Sequence, residues 1–495
     1  MTNPHDTYTS PLASRNASPE MLRIWSARHK FNTWRRIWLA VAEAQRACGL
    51  DISQEQVDEL RAVVDRGITD EELARAAELE RELRHDVMAH VHCLGESCPK
   101  AKPIIHLGCT SQDVVCNADF VCQYGAFEII NRKIDLVVAA LGIQASSHLR
   151  TATLGFTHYQ PAQPLTVGRR AAQWAHDLRI TSQVGFGLAP RGMKGATGTE
   201  ASFLALFGGD HAGVQKFAGT FYSKLKLDII GDKQSPGHFP VGYQLTGQTY
   251  PRIEDCVSLA QLASVAAMLH KIATDIRLLS NGKEIDEPFG KNQIGSSAMP
   301  YKRNPMKCER ICGLTRFVMN LVGNAYDTAA TQWLERTLDD SSNRRLSLPE
   351  AFLALDGALD LMHQVASGLV VHEAMVRKNL MAELPFLATE NILMEAVKAG
   401  GDRQELHEKI RVHAQAAGMR VKQEGLDNDL IERLRGDDAF KSVHHLLTEE
   451  QLLDPMKYVG RAVEQTERFL AEVVEPLKER YAGELGSLGA SDRGV

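Results

Sequence analysis

The chain has no GxGxxG turn, no GxxxxGK[ST] loop and no HExxH helix, so a nucleotide bound here is held without those phosphate-cradling or metal-based frameworks. It also has no excess of positive charge. Its 56 Lys and Arg stand against 62 Asp and Glu, a net charge of −6. General nucleic-acid and membrane-surface binders are normally basic, so neither partner is expected. Any anion recognised must instead meet a local arginine cluster. No apolar run reads as a bilayer span, and Met1 to Ser10 is polar, without the apolar centre of a signal peptide. The nine cysteines are odd in number and irregularly spaced, which points to reduced thiols and a cytoplasmic protein. His90, His92, Cys93, Cys98 and His106 crowd together. Their spacing fits no usual ligand pair and no second cluster completes a tetrahedron, so no metal is expected.

At 495 residues the chain is too long for one core and implies two or three domains. Its 44% hydrophobic and 24% charged residues are those of a globular protein. Proline is absent between Pro103 and Pro161, Pro305 and Pro349, and Pro385 and Pro455. Those intervals are rich in helix formers. Leu259, Leu262, Ala266, Leu269, Ala273 and Ile276 recur three and four apart, a seam fit for a long bundle helix that one chain alone is not expected to bury. Strand signals are few, the best near Phe217 to Ile230. The reading is mostly α: an N-terminal helical domain over 1–110, a central long-helix bundle over 111–370 and a C-terminal helical domain over 371–495. The end beyond Gly483 reads as a frayed tail.

The most informative segment runs from Gly295 through Ser296, Ser297, Ala298, Met299, Pro300, Tyr301, Lys302, Arg303 and Asn304 to Pro305. Its glycine and two prolines exclude regular helix, so hydroxyls and cations sit on a loop, where function concentrates. His158, ahead of Pro161 and Pro164, also falls on a non-helical turn. An imidazole ordinarily titrates near neutrality, which suits a proton donor. His85, between Arg84 and Asp86, reads as part of a helical run.

The loop resembles the signature loop of the fumarase/aspartase superfamily, and its wording is most similar to that of the adenylosuccinate lyase family. Further segments match in order: Ser10–Arg15 with Ser18–Met21, Arg84–Asp86, Gly108–Asp113, Gly155–Gln163, Leu245–Tyr250 around Gln248, and Glu335–Arg345. The resemblance implies a superfamily fold of three domains, with the loop spanning 282–305, and β-elimination of fumarate from adenylosuccinate and from the succinyl-aminoimidazole-carboxamide ribotide. It implies Ser296 as base, His158 as acid, and Lys302 and His85 as assisting groups. A serine base must be activated by loop amides and nearby positive charge. By the same resemblance Arg15, Arg310, Arg336, Ser341 and Arg345 hold the phosphate end. Thr110 and Ser111 hold the succinyl carboxylates, and Arg84, Asp86, Gln248 and Asn304 also contact substrate. Arg344 reads as a solvated helix face. Asn16 departs from the tyrosine usual in the family. No cofactor is implied, and the superfamily's homotetramer would share each site between subunits. Argininosuccinate lyase or fumarase activity, or a crystallin-like structural protein without activity, are the alternatives. Neither alternative enzyme needs a phosphate clamp, and the intact Ser296, Lys302 and His158 oppose the structural protein.

Overall fold

The computed structural model describes residues 6–183, 188–226, 242–448 and 454–485. The longer helices, in chain order, are α1 (Ala27–Ala47), α2 (Gln54–Arg66), α3 (Asp70–Leu83), α4 (Asp86–Ser97), α5 (Ser111–Ser147), α6 (Val167–Gln183), α7 (His211–Lys224), α8 (Ile253–Asn281), α9 (Met306–Ala330), α10 (Asp340–Ser367), α11 (Glu373–Leu387), α12 (Thr389–Lys398) and α13 (Arg403–Met419). Two small antiparallel pairs interrupt them: β1 (Ala152–Thr157) with β2 (Gln160–Thr166), and β3 (Ile285–Asp286) with β4 (Val370–Val371). The mostly α expectation holds.

Local chemistry explains where the helices begin. Ser26 accepts the amide of His29 at the start of α1. Thr69 and Glu72 form a reciprocal capping box at α3, whose first turn carries Asp70, Glu71 and Glu72 against the helix dipole. Proline is a poorer boundary marker than its gaps suggest, because α10 runs through Pro349 and α11 through Pro385. Pro349 removes the N–H that would bond the Arg345 carbonyl, a local loss that the length and burial of α10 absorb. The strand expected near Phe217 is also corrected. Phe217 and Phe221 are i, i+4 neighbours on α7, both buried, so an apolar run that suited either element is settled by tertiary packing. Residues 227–230 lie outside the described residues.

By packing, the chain forms two units, each assembled from three stretches: residues 1–133, 182–267 and 313–358, and residues 134–181, 268–312 and 359–495. In the first, Trp34 and Trp38 are buried on α1, and Phe352 meets Phe127 at 4.8 Å and Trp25 at 5.4 Å between ring centroids. A buried ion pair joins Lys133 to Asp356 at 2.5 Å, and Asp356 also accepts the amide of Ser18. In the second, the Trp174 indole donates to Asp275 at 2.7 Å. Ile392, Leu406, Ile410, Leu430, Leu434 and Phe440 share a separate C-terminal core.

The seam on α8 behaves differently from expectation. Leu259, Leu262, Ala266, Leu269, Ala273 and Ile276 are all buried within the single chain, so this seam leaves no apolar surface to cover. The same helix is, by length and composition, apolar enough to cross a membrane, although no such run was expected; 56% of the qualifying window is buried inside the protein, as in a core helix.

Candidate active site

In the first unit, three of the residues singled out in sequence meet at one end of α10. Arg336, Ser341 and Arg345 line a cavity of about 210 Å³ together with Lys30, Asp119, Arg252, Asp340 and Arg344. Arg336 reaches Asp340 at 3.4 Å, and Arg252 bonds the same carboxylate at 2.7 Å. The Nη1 atoms of Arg252 and Arg336 are buried with no hydrogen-bond partner. Buried donors of a cation are costly to leave unmet, so these two face a demand that an anion would satisfy. Burial, and then the neighbouring Arg345 cation, lowers the Lys30 ammonium below the usual lysine range.

The Gln248 amide donates to the Glu335 carbonyl at 3.0 Å, tying the Leu245–Tyr250 segment to the start of this arginine segment. Arg345 also reaches Asp86 at 3.1 Å, which draws the Arg84–Asp86 segment to the same place. His85 corrects the helical reading. Arg84 adopts a left-handed φ of 54° and ends α3, and His85 caps α4. Its Nδ1 accepts the Met88 amide at 3.3 Å, and its Nε2 lies 3.3 Å from the Ser111 hydroxyl. In the neutral ring an accepting Nδ1 leaves the proton on Nε2, so His85 presents a donor toward Ser111. The Thr110 amide caps onto Asp113 at 2.8 Å, which fixes the turn that delivers Ser111.

Arg344 is not on a solvated face. It is 8% exposed and bonds Asp255 at 2.6 Å, Asp119 at 3.1 Å and the Tyr250 hydroxyl. Sequence reading missed it because an Arg-Arg pair carries no sign of which member turns inward. Arg252 had a weak signal, two residues beyond the Leu245–Tyr250 segment; Lys30 and Asp119 had none. Arg15 is exposed on the turn Leu12–Asn16. Asn16 folds its amide back onto the Pro11 carbonyl at 2.8 Å, and its backbone oxygen would lie 2.7 Å from a Cβ at position 357. Asparagine therefore closes its own turn here.

In the second unit, His158 and Tyr159 form the two-residue turn between β1 and β2, with φ of 51° and 58°. Positive φ at both central residues matches the twist of a hairpin, but Asn-Gly usually supplies it. Two bulky residues held there carry a conformational cost that the surrounding structure must offset. His158 is exposed at the tip, while Phe156 and Tyr159 border a larger cavity of about 540 Å³.

The Gly295–Pro305 segment is a compact loop. Asn304 donates to the Gly295 carbonyl at 2.8 Å, and a side chain at 295 would strike the Lys302 carbonyl at 2.2 Å. The Met299 amide donates to Ser296 Oγ at 3.1 Å, and the Lys302 amide to the Met299 carbonyl at 2.9 Å. Arg303 stacks over Phe289 at 5.3 Å, while the Lys302 side chain is exposed. Arg310 lies on the first turns of α9. Among the described residues, no hydrogen bond joins His158 to Ser296 or Lys302.

The crowded His and Cys residues have other employment. His90 stacks on Phe31 at 3.8 Å, and His106 accepts the Trp38 indole N–H at 3.0 Å. Cys93 and Cys98 donate to the carbonyls of Glu72 and Leu94. Among the described residues, no group of three or more His, Cys, Asp or Glu is placed to hold a metal ion.

Residues 13–196 and 245–320 match the family model described as Lyase, and residues 385–469 match that described as Adenylosuccinate lyase C-terminus. The adenylosuccinate lyase of Saccharomyces cerevisiae is 47% identical over 475 residues, 95% of this chain and 95% of that protein. That of Schizosaccharomyces pombe is 47% identical over 493 residues, covering 97% and 98%. That of Schistosoma mansoni is 43% identical over 482 residues, covering 96% and 97%. Among solved structures, a fumarate lyase from Mesorhizobium sp. BNC1 superposes with a TM-score of 0.77 at 22% identity, over 94% of this chain and all of that one. The 3-carboxy-cis,cis-muconate lactonizing enzyme of Pseudomonas putida gives 0.77 at 23%, over 94% and 99%. At those identities the two structures speak to fold alone.

Proposed function

The chain belongs to the adenylosuccinate lyase family, and from that premise we propose that Ser296 and His158 carry the β-elimination that releases fumarate from adenylosuccinate and leaves AMP. The protein is a carbon–nitrogen lyase. Ser296 removes the proton from the carbon beside a succinyl carboxylate, the C–N bond breaks, and His158 delivers a proton to the departing nitrogen. The Met299 amide already donates to Ser296 Oγ, which favours the oxygen as its charge grows. The exposed Lys302 ammonium, carried on the same loop, is the cation assigned to support an alkoxide and the doubly charged carboxylate. Asn304 braces the loop through Gly295 in this state, so a substrate contact by Asn304 requires the loop to rearrange. His85 and Ser111 act as paired donors to a succinyl carboxylate.

The observation that carries the substrate class is the cavity of Lys30, Arg252, Arg336, Ser341, Arg344 and Arg345, in which two guanidinium nitrogens are buried and unpaired. Such a site fits a phosphate ester through forked donors and a hydroxyl. It counts against argininosuccinate or malate as substrate, because neither carries a phosphate. The succinyl-carboxamide ribotide of purine synthesis shares the phosphoribosyl and succinyl ends and is the second proposed substrate. No cofactor is called for in this chemistry.

We also propose a cytoplasmic homotetramer whose sites are shared between subunits. Trp333, Leu334, Leu338 and Leu346 are strongly exposed at 74%, 97%, 72% and 63%, close in sequence to the phosphate-suited residues. Burial of these exposed apolar side chains against another subunit would favour association. The reading is tested by mixing purified protein with adenylosuccinate and following ultraviolet absorbance, with argininosuccinate, malate and aspartate in parallel. Turnover of adenylosuccinate alone supports it; turnover of any control in its place contradicts it.

A further inference from the structure

Two acidic residues stand next to one another where β3 leads into the signature loop. Asp286 accepts the Ser280 hydroxyl at 2.7 Å and faces His372 Nε2 at 2.9 Å, which secures the strand itself. Glu287 is 4% exposed and turns to the far end of the loop. Its Oε1 accepts the Lys307 amide at 3.0 Å and its Oε2 the Cys308 amide at 2.9 Å. These are amides of the first turn of α9, which have no carbonyl partner within their own helix. One buried carboxylate therefore holds the residues on both sides of the loop, with each oxygen committed.

We propose that Glu287 is a positioning residue that closes the segment between β3 and α9 and so presents Ser296, Lys302 and Asn304. The idea rests on the reading that this loop carries the reaction. Residues 288–305 contain no regular helix or strand, so their geometry depends on how their ends are joined. An ionised acceptor at a helix N-terminus, in a buried setting, makes stronger bonds than a neutral one. Separated ends would let the loop sample many more conformations, of which few place the serine correctly.

Glu287→Gln tests this with little change of size. A carboxamide offers one acceptor oxygen, so one of the two buried amides loses its partner. The expected result is a kcat at least about tenfold lower, with KM within about threefold, because lost preorganisation falls on the chemical step. Trypsin should cut after Lys302 and Arg303, both exposed, faster in the variant, while the remaining sites are cut at the parent rate. A kcat and a cleavage rate equal to the parent would overturn the proposal. A uniform rise in cleavage along the chain would overturn it too, because it denotes general destabilisation. Ser296→Ala assayed alongside separates the two ideas. Normal turnover there defeats the catalytic reading of the loop, whereas selective cleavage in Glu287→Gln, measured without substrate, reports on the clasp itself.

Discussion

Asn304 donates its side-chain amide to the Gly295 carbonyl at 2.8 Å, joining the two ends of the loop that bears Ser296. The bond runs from one end of the motif to the other, which gives glycine and asparagine complementary parts at this separation. Glycine leaves room for the Lys302 carbonyl, and asparagine reaches back across the gap. Asn304→Ala should lower kcat about tenfold, the equivalent of one hydrogen bond of ~1 kcal/mol and the order that it imposes. Asn304→Asp should be worse, because a carboxylate facing a carbonyl oxygen is repelled. Steady-state kinetics of both variants check this, and a wild-type kcat in Asn304→Asp would contradict it.

His158 and Ser296 have no hydrogen-bonded connection among the described residues, and the proposed shared site would bring them together through assembly. Inactive His158→Ala and inactive Ser296→Ala proteins, mixed and allowed to exchange subunits, should regain part of the lost activity, because some mixed sites hold neither substitution. Native mass spectrometry establishes whether mixed tetramers form. Mixed tetramers without activity would place both residues on one subunit.

His90 supplies a pH dependence of stability. Burial, then the Arg35 and Lys30 cations, lowers its pKa to about 4 from 6.5. Below pH 6.5 the unfolded chain takes up this proton first, so stability falls as pH drops from about 6.5 toward about 4 and this loss ends there. A depression of this size corresponds to about 3 kcal/mol. His90→Phe should flatten that part of the stability curve in urea titrations across the range. An unchanged pH slope in the variant would show that other groups dominate.

The sequence made the loop legible because its glycine and prolines exclude regular helix, and the turn that carries His158 followed from prolines nearby, whereas the role assigned to His158 came from the resemblance. The arginine segment was legible as a motif but not in its inner division of labour. Arg345 turns to Asp86 while Arg344 is buried against Asp255, a choice fixed by helix phase and by distant carboxylates. Long-range partners explain the other misses as well. Phe217 lies in a helix because its i+4 neighbour Phe221 finds the same buried face. Pro349 is tolerated inside α10 because a long, buried helix outweighs one missing bond. The apolar seam of α8 was visible, but not that its own chain covers it.

The central claim is that Ser296 is the base, and Ser296→Ala tests it most directly. Calorimetry should show adenylosuccinate binding with nearly the parent affinity, because the phosphate-suited cavity is untouched. The ultraviolet assay should show kcat reduced by about a thousandfold or more, as when a group that acts only in the transition state is removed. Ser297→Ala should be milder in the same assay. Near-parental turnover in Ser296→Ala, with binding intact, would contradict the account.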